Sequence, residues 1–150
     1  MTKSIRLVCA AVAAGFLFTP SLAANEYGSA GDARAMLERA IPEVKTDKAH
    51  ALAEFNAGEN GFKDRDLYVF CFNAGDGLLT AHPSLMGRDV RTLSDKTGAP
   101  FGQQMYSQAQ EGTISTIDYM FPRPGATEPS PKESYFTKIG DQVCGVGFYK

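Results

Sequence analysis

From Gly61 onward the chain breaks into short β-rich runs separated by turn residues, and this punctuation limits the fold more than any other feature of the sequence. Residues 66–72 and 77–82 flank Asn73-Ala-Gly-Asp-Gly77, which predicts a hairpin. Three more runs, residues 113–121, 134–139 and 143–149, are separated by a proline-rich connection at 122–131 and by Gly140-Asp141-Gln142. They read as three consecutive antiparallel strands, with the proline-rich connection as a stiff hairpin loop rather than a polyproline ligand. Between the two groups Phe101, Met105, Tyr106 and Ala109 keep helical spacing, and Gly112 ends it.

The segment before Gly61 has the other period. Leu37, Ile41, Val44, Leu52 and Phe55 form the stripe of one long amphipathic helix, with Ser29 or Asp32 to cap its start and Gly58 to receive its end. Pro42 is expected to kink this helix or divide it in two, and the N-terminal half is expected to project beyond the sheet. The order is long helix, two strands, short helix, three strands. It predicts one α+β domain with a five-stranded antiparallel sheet and its helices on one face.

Lys3 and Arg6 precede an apolar run at residues 7–18 that ends in Thr19-Pro-Ser-Leu-Ala23, the pattern of a secretory signal peptide over residues 1–23. An uncleaved anchor needs about twenty apolar residues, and the run is shorter. Cleavage is expected after Ala23 or Ala24, so the domain occupies 24–150 in the periplasm with no membrane span left. The full chain carries 15 Lys and Arg against 17 Asp and Glu; loss of Lys3 and Arg6 makes it more acidic, which argues against a nucleic-acid partner. Export also removes Cys9 and leaves Cys71 and Cys144 in an oxidising compartment, either paired or buried as free thiols.

Seven segments in order resemble the single Cache family of extracytoplasmic sensor domains, second type: Asp66-Leu-Tyr-Val-Phe70, Gly77-Leu-Leu-Thr-Ala-His-Pro83, Leu85-Met-Gly-Arg-Asp-Val90, Asp95-Lys-Thr-Gly98, Tyr119-Met-Phe-Pro122, Lys132-Glu-Ser-Tyr135 and Gly145-Val-Gly-Phe-Tyr149. The resemblance implies a PAS-like sheet preceded by a long helix, with a pocket on one face for a small organic molecule such as a short carboxylate. It also implies that the first and last strands are neighbours, and hence a Cys71–Cys144 disulfide. Members of the family are commonly parts of receptors or kinases. A chain ending at Lys150 is therefore expected to signal through a partner, such as a membrane receptor, a kinase or a transporter.

The candidate ligand contacts are His82, Tyr106, Tyr119, Phe121, Lys132 and Tyr135. His82 ends the second strand before Pro83, where its ring either donates to a ligand carboxylate or bonds nearby backbone. Tyr106, Tyr119 and Phe121 are pocket walls or simple core aromatics. A period of two puts Lys132, Ser134 and Phe136 on one side and Glu133 and Tyr135 on the other. Either Pro131 delays the strand so that Lys132 reaches round from the loop, or only one of Lys132 and Tyr135 touches ligand; the alternative for Lys132 is a solvated loop charge. Arg88 is a further candidate for a carboxylate, unless it pairs with Asp89 on the surface.

No Gly-x-Ser-x-Gly, His-Glu-x-x-His, Walker loop or Cys-x-x-Cys occurs, and there are only two histidines, so no catalytic, metal or cofactor role is expected. The sequence therefore predicts a periplasmic sensory module for a small organic acid, against the alternative of a scaffold that kept the fold without a working pocket.

Overall fold

The structure, a computed structural model, describes residues 25–150; the expected leader lies outside the described residues. Ser29 starts the first helix because its hydroxyl accepts from the Asp32 amide (3.1 Å) while the Asp32 carboxylate accepts from the Ser29 amide (3.0 Å). Helix α1 then spans Ala30–Thr46 and α2 spans Lys48–Ala57. The expected single helix is thus divided, although not at Pro42, which sits inside α1. The break is at Asp47, whose backbone is extended and whose side chain caps α2 by accepting from the His50 amide at 3.1 Å. A proline within a helix forfeits one hydrogen bond, whereas an aspartate offers the next turn an alternative acceptor; here the second effect ends the helix. Gly58 closes α2 at φ 70°, as the sequence predicts. Ala33, Met36, Leu37 and Ala40 are buried, so the first half of the opening helix lies on the sheet rather than projecting from it.

The strands are β1 (Lys63–Asp64), β2 (Leu67–Asn73), β3 (Leu79–Ala81), β4 (Ser115–Pro122), β5 (Pro129–Ile139) and β6 (Gln142–Tyr149), with α3 (Phe101–Gln108) and a 3-10 turn at Val90–Thr92 between β3 and β4. All pairings are antiparallel, in the order β1-β2-β6-β5-β4, with β3 also on β2. This is the expected α+β architecture, with two-residue β1 as the additional sixth strand. Strand β5 starts at Pro129 instead of Ser134, so the connection shrinks to residues 123–128. The prolines fit because β6 ends opposite Lys132. The Pro131 carbonyl accepts from the Lys150 amide at 2.9 Å, so the donor it lacks lies on that same side, past the end of β6.

Strand β2 is buried on both sides. Leu67, Val69 and Cys71 pack with α1 and α2, whereas Tyr68, Phe70 and Phe72 pack with Val90, Phe101 and Met105. The helices therefore cover opposite faces of the sheet, where the sequence reading put them on one. The reason is visible in β2 itself: a strand with apolar residues at every position needs a cover on each side. Each fully buried Leu or Phe contributes about 1.5–3 kcal/mol, so neither cover is dispensable. The α3 face carries the site.

Candidate functional site

A cleft of about 770 Å³ opens where the ends of β3 and β4 face the loop before α3. Lys63, Arg88, Arg123, His82, Thr92, Ser94 and Phe121 are among its lining residues, and no Asp or Glu is. Beneath it, Tyr68, Phe101, Tyr119 and Phe121 enclose a small apolar chamber of about 20 Å³.

Behind the lining residues Tyr68 and Phe121, and itself lining neither space, lies Lys132, which is 1% exposed and belongs to β5 itself, not to a loop. Its ammonium donates to the Tyr68 hydroxyl at 2.9 Å. Three rings surround it, with centres 4.4 Å (Tyr68), 4.8 Å (Tyr149) and 5.2 Å (Phe121) away. Among the described residues no carboxylate lies within ion-pair distance of it. Burial lowers its pKa to about 7, against a smaller opposing influence of Asp66.

Strand β6 makes room for this side chain at Gly147: a Cβ there would overlap Lys132 Cε and Ser134 Oγ. Glycine inside a strand marks such a close approach, a signal the sequence reading did not use.

His82 is fixed from two sides. Its Nδ1 accepts from the Ser84 and Leu85 amides (3.1 and 3.2 Å), and its own amide donates to Asn56 Oδ1 on α2 at 3.3 Å. The ring proton is therefore on Nε2, the nitrogen left for the cleft. Burial first, then the charge of Lys132, lowers its pKa to about 4, so the ring is a neutral donor at pH 7. The structure shows the backbone-bonding reading of His82 and also places the residue in the cleft lining.

Of the other candidates, Phe121 lines the cleft and Tyr119 the chamber. Tyr119 stacks on Phe101 (4.2 Å between centres) and shares a 2.9 Å hydrogen bond with Ser134. Tyr106 and Tyr135 stand apart from the cleft. Tyr106 donates to the Gly75 carbonyl at 2.9 Å and stacks on Phe72, because its position on α3 turns it toward the β2–β3 turn. Tyr135 lies on the α1 face, stacked on Phe148, as the period of two along β5 requires when Lys132 packs with Tyr68 and Phe121 on the α3 face. Arg88 lines the cleft without the expected Asp89 pair, since Asp89 binds Arg91 at 2.7 Å.

The sequence reading missed Arg123, which lies in the proline-rich connection. Its guanidinium pairs with buried Asp66, whose other oxygen accepts from the Gly28 amide at 2.7 Å. The Tyr27 and Tyr149 rings lie 4.0 and 4.5 Å from it. These partners are separated by tens of residues along the chain, so no local pattern reveals them.

A model of the Cache domain family matches residues 33–150. The methyl-accepting chemotaxis protein McpP of Pseudomonas putida is 29% identical over 90 residues, 57% of this chain and 16% of that protein. The chain thus corresponds to a small part of that relative. Among solved structures, a methyl-accepting chemotaxis protein from Vibrio parahaemolyticus superposes with a TM-score of 0.64 at 22% identity, covering 79% of this chain and 86% of that one. A periplasmic sensor domain of a chemotaxis protein gives 0.61 at 23% identity over 77% and 86%. A Cache chemosensory domain described as recognising carboxylic acid gives 0.56 at 21% over 77% and 84%.

Proposed function

The chain belongs to the Cache domain family, and from that premise we propose that it is a periplasmic sensory module that binds a short carboxylate in this cleft and passes its bound state to a partner protein, such as a receptor, kinase or transporter. The observation that carries the ligand class is electrostatic. A chain with a net charge of −2 lines this cleft of about 770 Å³ with Lys63, Arg88 and Arg123 and with no acid, and buries Lys132 behind it without an anionic partner among the described residues. Stranding a buried ammonium is costly, and a carboxylate relieves that cost. The leader-like pattern at residues 1–23 and the likeness to a periplasmic sensor domain support the compartment; the carboxylic acid recognised by a structural neighbour supports the ligand class. The matches to the Cache family and to a chemotaxis receptor indicate no enzyme family, and the role proposed is binding.

The test is thermal shift against acetate, propionate, pyruvate, lactate and succinate, each paired with its amide. A ligand that binds only the native state adds about 2.7 kcal/mol at a hundredfold excess over Kd, a rise of several degrees. Acids are expected to raise Tm, their amides are not, and Lys132→Met is expected to abolish the response. No response to any acid, together with a stable complex recovered by crosslinking, would return the protein to the scaffold alternative.

A further inference from the structure

Arg123 takes part in two structures at once. It lines the cleft, and its guanidinium also meets the Tyr27 and Tyr149 rings, 4.0 and 4.5 Å from their centres, while Nη1 pairs with buried Asp66. Tyr149 comes from the last strand, where its hydroxyl donates to the Pro122 carbonyl at 2.6 Å and so holds the residue before Arg123. Tyr27 comes from the other end of the described residues, ahead of α1. Neither Tyr27 nor Gly28 falls within residues 33–150, the part that the family matches.

Three contacts hold Tyr27 and Gly28 against the domain as a strap. The Gly28 amide donates to Asp66 Oδ1 at 2.7 Å, the Tyr27 carbonyl accepts from Arg65 at 2.9 Å, and the Tyr27 ring rests on Arg123. The fit is close, since a Cβ at Gly28 would come within 2.2–2.6 Å of three side-chain carbons of fully buried Leu67. Tyr27 itself stays 47% exposed, so its ring buries little and the docking depends on these directed contacts.

Asp66 ties the strap to the cleft wall. Its side chain is 7% exposed, with Arg123 on one oxygen and Gly28 on the other. A buried carboxylate stripped of its cation favours any opening that admits water, and the strap is part of its cover. Lifting the strap, in turn, takes one ring from Arg123 and one of two partners from Asp66. Arg123 Nε and Nη2 make no hydrogen bond among the described residues, so the guanidinium has donors for an anion at the wall without giving up Asp66.

We propose that Tyr27 and Gly28 are positioning residues of the cleft: docked, they fix Arg123 in its wall, and an anion held there by Arg123 tightens their docking in return. Linkage makes the two effects equal. This extends the sensory reading above, on which it rests for the cleft being the place where ligand binds, and gives the bound state a route to the segment that precedes α1.

The experiment needs no free ligand. Its readouts on purified protein are exchange of the Gly28 amide by NMR and the rate at which phenylglyoxal modifies Arg123, with exposed Arg34 as the internal reference. Arg123→Gln is expected to speed Gly28 exchange tenfold or more. Tyr27→Ala and Gly28→Ala are expected to raise Arg123 modification severalfold with Tm changed by only a few degrees, and they keep the test intact if the glutamine variant fails to fold. A charge is then placed at the wall through Ala126→Cys, a cleft-lining position whose amide donates to the Arg123 carbonyl at 2.9 Å. Its thiol is labelled with a methanethiosulfonate carrying either a sulfonate or, as the control, a trimethylammonium group. The sulfonate is expected to slow Gly28 exchange severalfold relative to the ammonium. Equal exchange under the two labels overturns the link between wall and strap, and faster exchange under the sulfonate overturns its sign. Arg123 modification unchanged in both strap variants overturns the positioning role. Because the label supplies the anion, a cleft that binds none of the free acids counts against the carboxylate reading alone, and the strap is judged by these outcomes.

Discussion

Lys132 changes protonation near pH 7 in the folded chain, whereas an unfolded lysine holds its proton to about 10.4. Between these values the unfolded state binds the extra proton, so stability rises with pH across that window and is lower below it. His82 gives a second rise between its folded value of about 4 and the usual 6.5, in the same direction and from the same cause, burial of a group that is more easily buried neutral. Tyr68 runs the other way. Burial, with Tyr119 and Tyr149 beside it, raises its pKa well above 10, so stability falls once pH exceeds about 10. Ligand-free protein is therefore expected to increase in Tm from neutral pH toward pH 10 and then decline. Lys132→Met, which keeps the volume without the charge, is expected to lose the rise above pH 7 and keep the one at acid pH; melting curves from pH 4 to 11 on both proteins decide it. An unchanged upper limb in the variant would remove Lys132 as its cause. The sequence placed Lys132, Ser134 and Phe136 on one face by period alone, but the depth of the lysine was not legible. Depth depends on the space that Gly147, opposite Ser134, leaves for the end of the lysine and on three rings brought from β2, β4 and β6.

Elements with local signals were legible, and those set by competition between neighbours were not. The first hairpin follows from its turn: Asn73 Oδ1 accepts from the Gly75 and Asp76 amides, and Gly77 adopts φ 76°. Helix α3 follows from its spacing. The division of the opening helix was assigned to Pro42 because proline is the stronger breaker in isolation, yet the capping geometry of Asp47 decides it. Asp47 carries a testable consequence. Replacing it with alanine removes the acceptor for the His50 amide and is expected to cost about 1 kcal/mol, read as a lower urea midpoint at unchanged slope. The effect has a functional side as well, because α2 presents Asn56, whose side chain bonds the Thr80 carbonyl and the His82 amide. Fraying of α2 loosens the strand end that positions the imidazole. Pro42→Ala, by contrast, is not expected to join α1 and α2, and amide exchange at residues 47–50 would show whether the break persists.

The strand that closes the molecule is the last one. Strand β6 inserts between β2 and β5, so the sheet is complete only when the C-terminal residues have docked beside a strand formed from the first half of the chain. Cys71 and Cys144 face each other across that seam, with Cα atoms 4.1 Å apart and a sequence separation of 73, and both are fully buried. Closing a loop of this length removes unfolded-state freedom equivalent to about 4 kcal/mol on the chain-entropy model. That is a large fraction of the 5–15 kcal/mol available to a domain. Alanine at both positions is the informative replacement, because serine would leave two hydroxyls in an apolar layer. The double variant is expected to lose about 4 kcal/mol in urea denaturation and to melt on the order of 15 °C lower. Dithiothreitol should act on the wild type only as fast as the seam opens, since both sulfurs lie in the closed core. Alkylation of unreduced, air-exposed protein followed by mass analysis should find no free thiol at Cys71 or Cys144; labelling of these two cysteines, or a double variant as stable as the wild type, would mean that packing along β2 and β6 holds the seam without the covalent link.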